Sequence, residues 1–108
     1  MSRTDQTQRS RFVRSIVLEC LASAARAGNR LGFSYQQLRD GFAASRVDIT
    51  DAEVRYELQD LTGGGLVEEE WDADLQGHYY TLAKAGMDFV RAGMPWDLLD
   101  KFTGGAAR

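Results

Sequence analysis

Two helix starts of the same construction stand sixteen residues apart in this chain, and together they settle what its middle third can become. Ser34 is followed three residues on by Gln37, and Thr50 by Glu53. In such a capping box the hydroxyl accepts from the N3 backbone N–H, while the N3 side chain reaches back to the cap's own N–H. Each box is flanked by an apolar pair, Phe33 with Leu38 and Ile49 with Val54, at the spacing of a hydrophobic staple. The first start predicts a helix from Ser34 to about Phe42, with Tyr35, Leu38 and Phe42 on one face. The second predicts a helix from Thr50 to about Thr62 that buries Val54, Leu58 and Leu61, with Gly63, Gly64 and Gly65 as its stop.

The flanking segments fit around this pair. From about Arg9 to Ala27, Phe12, Val13, Ile16, Val17, Cys20, Leu21 and Ala24 recur at helical spacing, and Gly28 is placed to end that helix. Residues 30–33 read as a short extended piece. After the glycines, Leu66 to Trp71 reads as a strand that begins apolar and turns acidic. Asp72 to Gly77 reads as a turn and His78 to Leu82 as a second strand, so the two make a hairpin. A helix over about Ala83 to Ala92 follows, and Pro95 fits the first turn of a last short helix ending near Phe102. Residues 1–8 and 103–108 read as flexible ends around a domain over 9–93 and a C-terminal helix over 94–102. The fold class expected is mainly α with a small antiparallel β-hairpin.

The order helix, short strand, helix, helix, hairpin, helix resembles a winged helix-turn-helix domain. Asp60-Leu61-Thr62-Gly63-Gly64-Gly65-Leu66-Val67 is similar to the end of a recognition helix running into the wing. Tyr79-Tyr80-Thr81-Leu82-Ala83-Lys84-Ala85-Gly86 is similar to the stretch that joins wing to last helix. Ala83 departs from the pattern, which usually has a capping threonine there. More loosely, size and layout resemble small winged-helix proteins of Mu-like prophages. The resemblance implies that the third helix enters the major groove and the wing touches phosphates.

Charge cuts against that implication. From Asp48 to Asp74 there are ten acids against one base, Arg55, whereas residues 1–47 hold eight arginines and three acids. The expected surface of the third helix is Glu53, Arg55, Tyr56, Glu57 and Asp60, beside Asp51. The wing would present Glu68, Glu69, Glu70, Trp71, Asp72, Asp74 and His78. Phosphate contact needs lysine or arginine, so double-stranded DNA is disfavoured at these elements. Arg9, Arg11 and Arg14 of the first helix are the rival nucleic-acid contacts. An acidic face also suits a protein partner with a basic patch, since complementary charge steers association.

Nothing in the chain spells an active site. His78 is the only histidine and lacks a nucleophile or ligand partners nearby in sequence. Cys20, the only cysteine, falls on the apolar stripe and can form no internal disulfide. The glycine run precedes a strand and lacks the lysine of a phosphate-binding loop. No metal and no cofactor is expected. No apolar run approaches the ~20 residues of a membrane span, and the polar N-terminus lacks the apolar core of a secretory signal, so a cytoplasmic location is the default. Trp96, Leu99 and Phe102 share one face of the expected last helix, as for burial in a homodimer. Two functions stay open: a DNA-associated transcriptional regulator, towards which family usage tilts, and a protein-interaction module that kept the fold and lost the DNA surface.

Overall fold

The computed structural model describes the backbone of residues 3–94, with side chains from residue 8 onward. Helix α1 spans Arg3–Arg26, α2 Tyr35–Ala44, α3 Asp51–Gly63 and α4 Lys84–Arg91. Strand β1 is Phe33–Ser34, β2 Val67–Asp72 and β3 Gly77–Leu82. The strands form an antiparallel sheet in the order β1-β3-β2, which leaves β2 at an edge. Val67 pairs with Leu82, Glu69 with Tyr80 and Trp71 with His78, while Phe33 of β1 pairs with Tyr80 from the other side. Four helices and a small antiparallel sheet are thus the architecture. Of the short extended piece expected over 30–33, only Phe33 lies in a strand, which it forms with Ser34, while Arg30 and Leu31 lie in a bend.

Both capping boxes form. Ser34 Oγ accepts from Gln37 N at 3.1 Å, and Gln37 Oε1 accepts from Ser34 N at 2.9 Å. Thr50 Oγ1 accepts from Glu53 N at 3.1 Å, and Glu53 Oε1 accepts from Thr50 N at 3.0 Å. Helix α3 ends in a Schellman closure. Gly65 N donates to Thr62 O, Leu66 N donates to Leu61 O, and Gly65 sits at φ +81°, a backbone state that penalises any Cβ. This closure turns the chain straight from α3 into β2.

Helix α1 starts at Arg3 rather than near Arg9. Residues 3–8 are polar and carry no apolar repeat, yet a helix already nucleated extends through them at little cost. Its buried stripe is also rotated from the one expected. Val13, Arg14, Val17, Leu18, Leu21, Ala22 and Ala24 are inside, whereas Phe12 is 45% exposed and Cys20 only half-buried. The core joins this stripe to Leu38 and Phe42 of α2, Val54, Leu58 and Leu61 of α3, Leu66 and Val67 at the start of the hairpin, and Phe89 and Val90 of α4. Among the described residues no helix is long and apolar enough to cross a membrane. The expected helix over 95–102, with its dimer contacts Trp96, Leu99 and Phe102, lies outside the described residues, as does the tail after it.

Helix α4 is the one helix of the last three without a side-chain cap. Ala83 holds N-cap geometry, φ −71° and ψ 167°, and offers no acceptor to the first turn. Changing Ala83→Ser supplies one without altering the backbone. It is expected to stabilise the fold by about 0.5–1 kcal/mol, seen as a higher thermal midpoint. An unchanged midpoint would mean that the hydroxyl does not reach the free N–H groups.

Candidate functional site

The acids of α3 do not form the outward face expected of them. Helix α1 lies along α3, and its arginines consume them. Arg9 Nε donates to Glu53 Oε2 at 2.5 Å, and its Nη2 donates to the Asp48 carbonyl at 2.6 Å. Arg14 Nε donates to Glu57 Oε1 at 3.3 Å, and its Nη2 donates to Asp60 Oδ2 at 2.9 Å. Ser10 Oγ donates to the other oxygen of Glu57. Arg14 and Glu57 are each only 3% exposed. Glu57 therefore belongs to the α1–α3 seam and not to a recognition surface, and Arg14 cannot reach a phosphate. The helical repeat explains this: Glu57 stands between Val54 and Leu61 on the buried stripe of α3, and Arg14 between Val13 and Val17 on that of α1.

The electrostatics of the two pairs differ. The bond from Arg9, backed by the Thr50 N–H, holds the Glu53 carboxyl down at about 2. Burial pushes the Glu57 carboxyl up, while Ser10 and Arg14 pull it back. A further pair closes the first turn of α3: Arg55 Nε donates to Asp51 Oδ2 at 2.9 Å, and Tyr35 OH donates to Asp51 Oδ1. The Arg55 guanidinium also lies over the Tyr35 ring, 4.2 Å from its centroid. What α3 shows to solvent is thus Ala52, Arg55, Tyr56, Gln59 and Gly63, with Asp51 exposed but paired to Arg55.

The hairpin acids are different. Alternation along β2 puts Val67, Glu69 and Trp71 on one face and Glu68, Glu70 and Asp72 on the other. Among the described residues no lysine or arginine pairs with any of these carboxylates, nor with Asp74. The first face begins in the core at Val67 and Leu82, then emerges as Glu69 with Tyr80 and Trp71 with His78. Tyr80 OH donates to Glu69 Oε2 at 3.1 Å, and His78 Nδ1 lies 3.4 Å from the same oxygen. Burial and the Glu69 charge push the Tyr80 phenol up to about 12, so it stays a donor. The Trp71 ring meets His78 edge-on with centroids 5.1 Å apart and is 58% exposed. Between this face and α3 runs an open groove of about 580 Å3, lined by Tyr35, Arg55, Leu58, Gln59, Glu69 and Tyr80.

No protein family, curated protein or solved structure matches this chain. Of the arginines expected at nucleic acid, Arg9 and Arg14 are tied into the α3 seam, and Arg11 lies on the same helix, partly buried. Of the α3 set, Arg55 and Tyr56 are exposed, Glu53 and Asp60 are half-buried, and Glu57 is inside. Of the hairpin set, Glu69, Trp71 and His78 come together on one face, Asp72 lies on the other, and Asp74 stands in the turn. Tyr35 and Tyr80 join the site from outside the expected set. A period-of-two reading of β3 signals Tyr80, since it shares a face with His78. Cys20 lies at the margin of the core, and burial raises its thiol away from the reactive range. Among the described residues no group of three or more His, Cys, Asp and Glu side chains is placed to hold a metal ion.

Proposed function

We propose that this chain is a non-enzymatic protein-interaction module on a winged-helix scaffold, with β2–β3 as the wing and the α3–wing face as its binding surface. The observation that carries this reading is how the acidic charge is distributed. The α3 acids are neutralised within the fold, whereas Glu68, Glu69, Glu70, Asp72 and Asp74 of the wing have no lysine or arginine partner among the described residues, and only His78 approaches Glu69. A duplex carries one negative charge per ~1.7 Å of axis. A wing of this charge laid along its backbone would be repelled. Acids on both faces of an edge strand do have a plainer use, since they keep it from pairing with other sheets. That use does not account for a tryptophan held 58% exposed among them, or for Tyr56 at 60% on the adjoining helix. Exposed Trp, Tyr and Arg on a rigid support are what protein interfaces select.

The second reading, a DNA-associated transcriptional regulator, is favoured by one observation. Helices α2 and α3 form a tandem followed directly by the hairpin, and α3 turns Arg55, Tyr56 and Gln59 outward. Fluorescence anisotropy of a labelled mixed-sequence duplex separates the two. The interaction module is expected to give no saturable binding at low salt, weaker than the roughly 10⁻⁴ to 10⁻⁶ M of ordinary nonspecific binders. Saturable binding that weakens as salt rises from about 50 to 200 mM would overturn it in favour of the regulator.

A further inference from the structure

We propose that the wing face of Glu69, Trp71, His78 and Tyr80 is a seat for an arginine or lysine side chain, carried by a basic extended segment of a partner protein. This deepens the interaction-module reading and rests on it. Three features converge on a cation. The Glu69 carboxylate is oriented by Tyr80 OH at 3.1 Å, so it is held in place before anything binds. Trp71 stands next to it on the same face, exposed and supported edge-on by His78, and so offers a ring to a cation. Around them Glu68, Glu70, Asp72 and Asp74 supply a negative field without a basic partner among the described residues. The one cation along the adjoining groove, Arg55, is held by Asp51 and stacked on Tyr35, so it does not fill the seat.

Charge complementarity selects the occupant. A phosphate-bearing ligand would meet like charge here. The chain's own nearest basic helix already spends Arg9 and Arg14 on Glu53, Glu57 and Asp60. An open groove of about 580 Å3 continues from the seat towards Leu58 and Gln59 and offers a place for the residues beside the basic one. Backbone groups of the segment would meet Gln59 and Tyr35 there, while the guanidinium or ammonium lies against Trp71 and pairs with Glu69.

The test uses the full chain, isotopically labelled, and a blocked octapeptide of alternating arginine and serine, followed by amide and indole NMR shifts. Its citrulline analogue serves as the uncharged control. The expected result is saturable movement of the Trp71 indole and the Glu69 and Tyr80 amides with the arginine peptide alone. Glu69→Gln and Trp71→Ala should each weaken binding about fivefold or more. Glu70→Gln removes the same charge from the opposite face and should change it by less than about twofold. Equal losses in Glu69→Gln and Glu70→Gln would overturn the seat, since diffuse charge alone would then explain binding. Trp71 shifts that change on simple dilution, without peptide, would also overturn it by assigning the face to a second copy of the chain. Absence of peptide binding together with absence of duplex binding removes this seat and leaves the interaction-module reading standing. Saturable duplex binding removes that reading itself.

Discussion

Changing Arg14→Met is expected to destabilise the protein by about 3–5 kcal/mol, because it leaves buried carboxylates without their counter-charge. Arg14 and Glu57 are both 3% exposed, and Asp60 shares the same guanidinium. Methionine keeps the length and helix propensity of the arginine stem, so packing loss is small and the cost is electrostatic. Two controls identify the cause. Changing Glu57→Met on the same background should recover much of the loss, because an apolar pair can replace a buried ion pair nearly neutrally. The deficit of the single variant should also shrink as pH falls from neutrality. Burial already raises the Glu57 carboxyl, and removing Arg14 raises it further. A carboxyl whose folded pKa is raised binds protons more readily in the folded state, so lowering the pH favours folding of the variant. Urea denaturation of the three proteins at two pH values measures this. A loss under about 1 kcal/mol would place the pair in the class of exposed bridges.

That pair also marks where the sequence is legible and where it is not. Helix starts are local events. Ser34 with Gln37 and Thr50 with Glu53 carry their geometry within four residues, and all four expected hydrogen bonds form. The stop at Gly65 and the hairpin register after it are nearly as local. Which face of α1 is buried depends on what packs against it. Apolar counting includes Phe12 and Cys20, which lie at the margin, and passes over Arg14 because an arginine reads as solvated. The available signal was a pair. Arg14 interrupts an apolar stripe on one helix, Glu57 interrupts another, and opposite charges inside two stripes imply that the stripes meet. The same contact turned an expected acidic recognition face into an internal seam. It also left the β2–β3 hairpin as the place where exposed acids cluster. Alternation along β3 signals Tyr80, but no local pattern signals Tyr35, because its place in the groove depends on how α2 packs beside α3.

Changing Gly86→Ala is expected to cost about 3 kcal/mol, a size characteristic of forced overpacking, although alanine is the better helix former. A Cβ at this position would lie 2.1 Å from the Leu66 carbonyl oxygen and 3.0 Å from Leu82 Cδ2. The oxygen cannot yield cheaply, since it is backbone at the start of the hairpin and accepts from Ala83 N at 3.0 Å. Helix α4 must therefore lift away from Leu66. Phe89 and Val90, which α4 contributes to the core, would lift with it. Alanine's propensity gain of ~1 kcal/mol offsets only part of this. Gly63→Ala is the matched control. It sits in the last turn of α3 with nothing within 4 Å of its added Cβ, and should be neutral or stabilising by up to about 1 kcal/mol. Because Leu66 also begins the hairpin, the Gly86→Ala variant should loosen the base of β2 as well as α4. Hydrogen exchange should then rise at Val67 and Leu82 together with the α4 amides. A Gly86→Ala protein as stable as the parent, with α4 exchange unchanged, would show that α4 is not seated on Leu66.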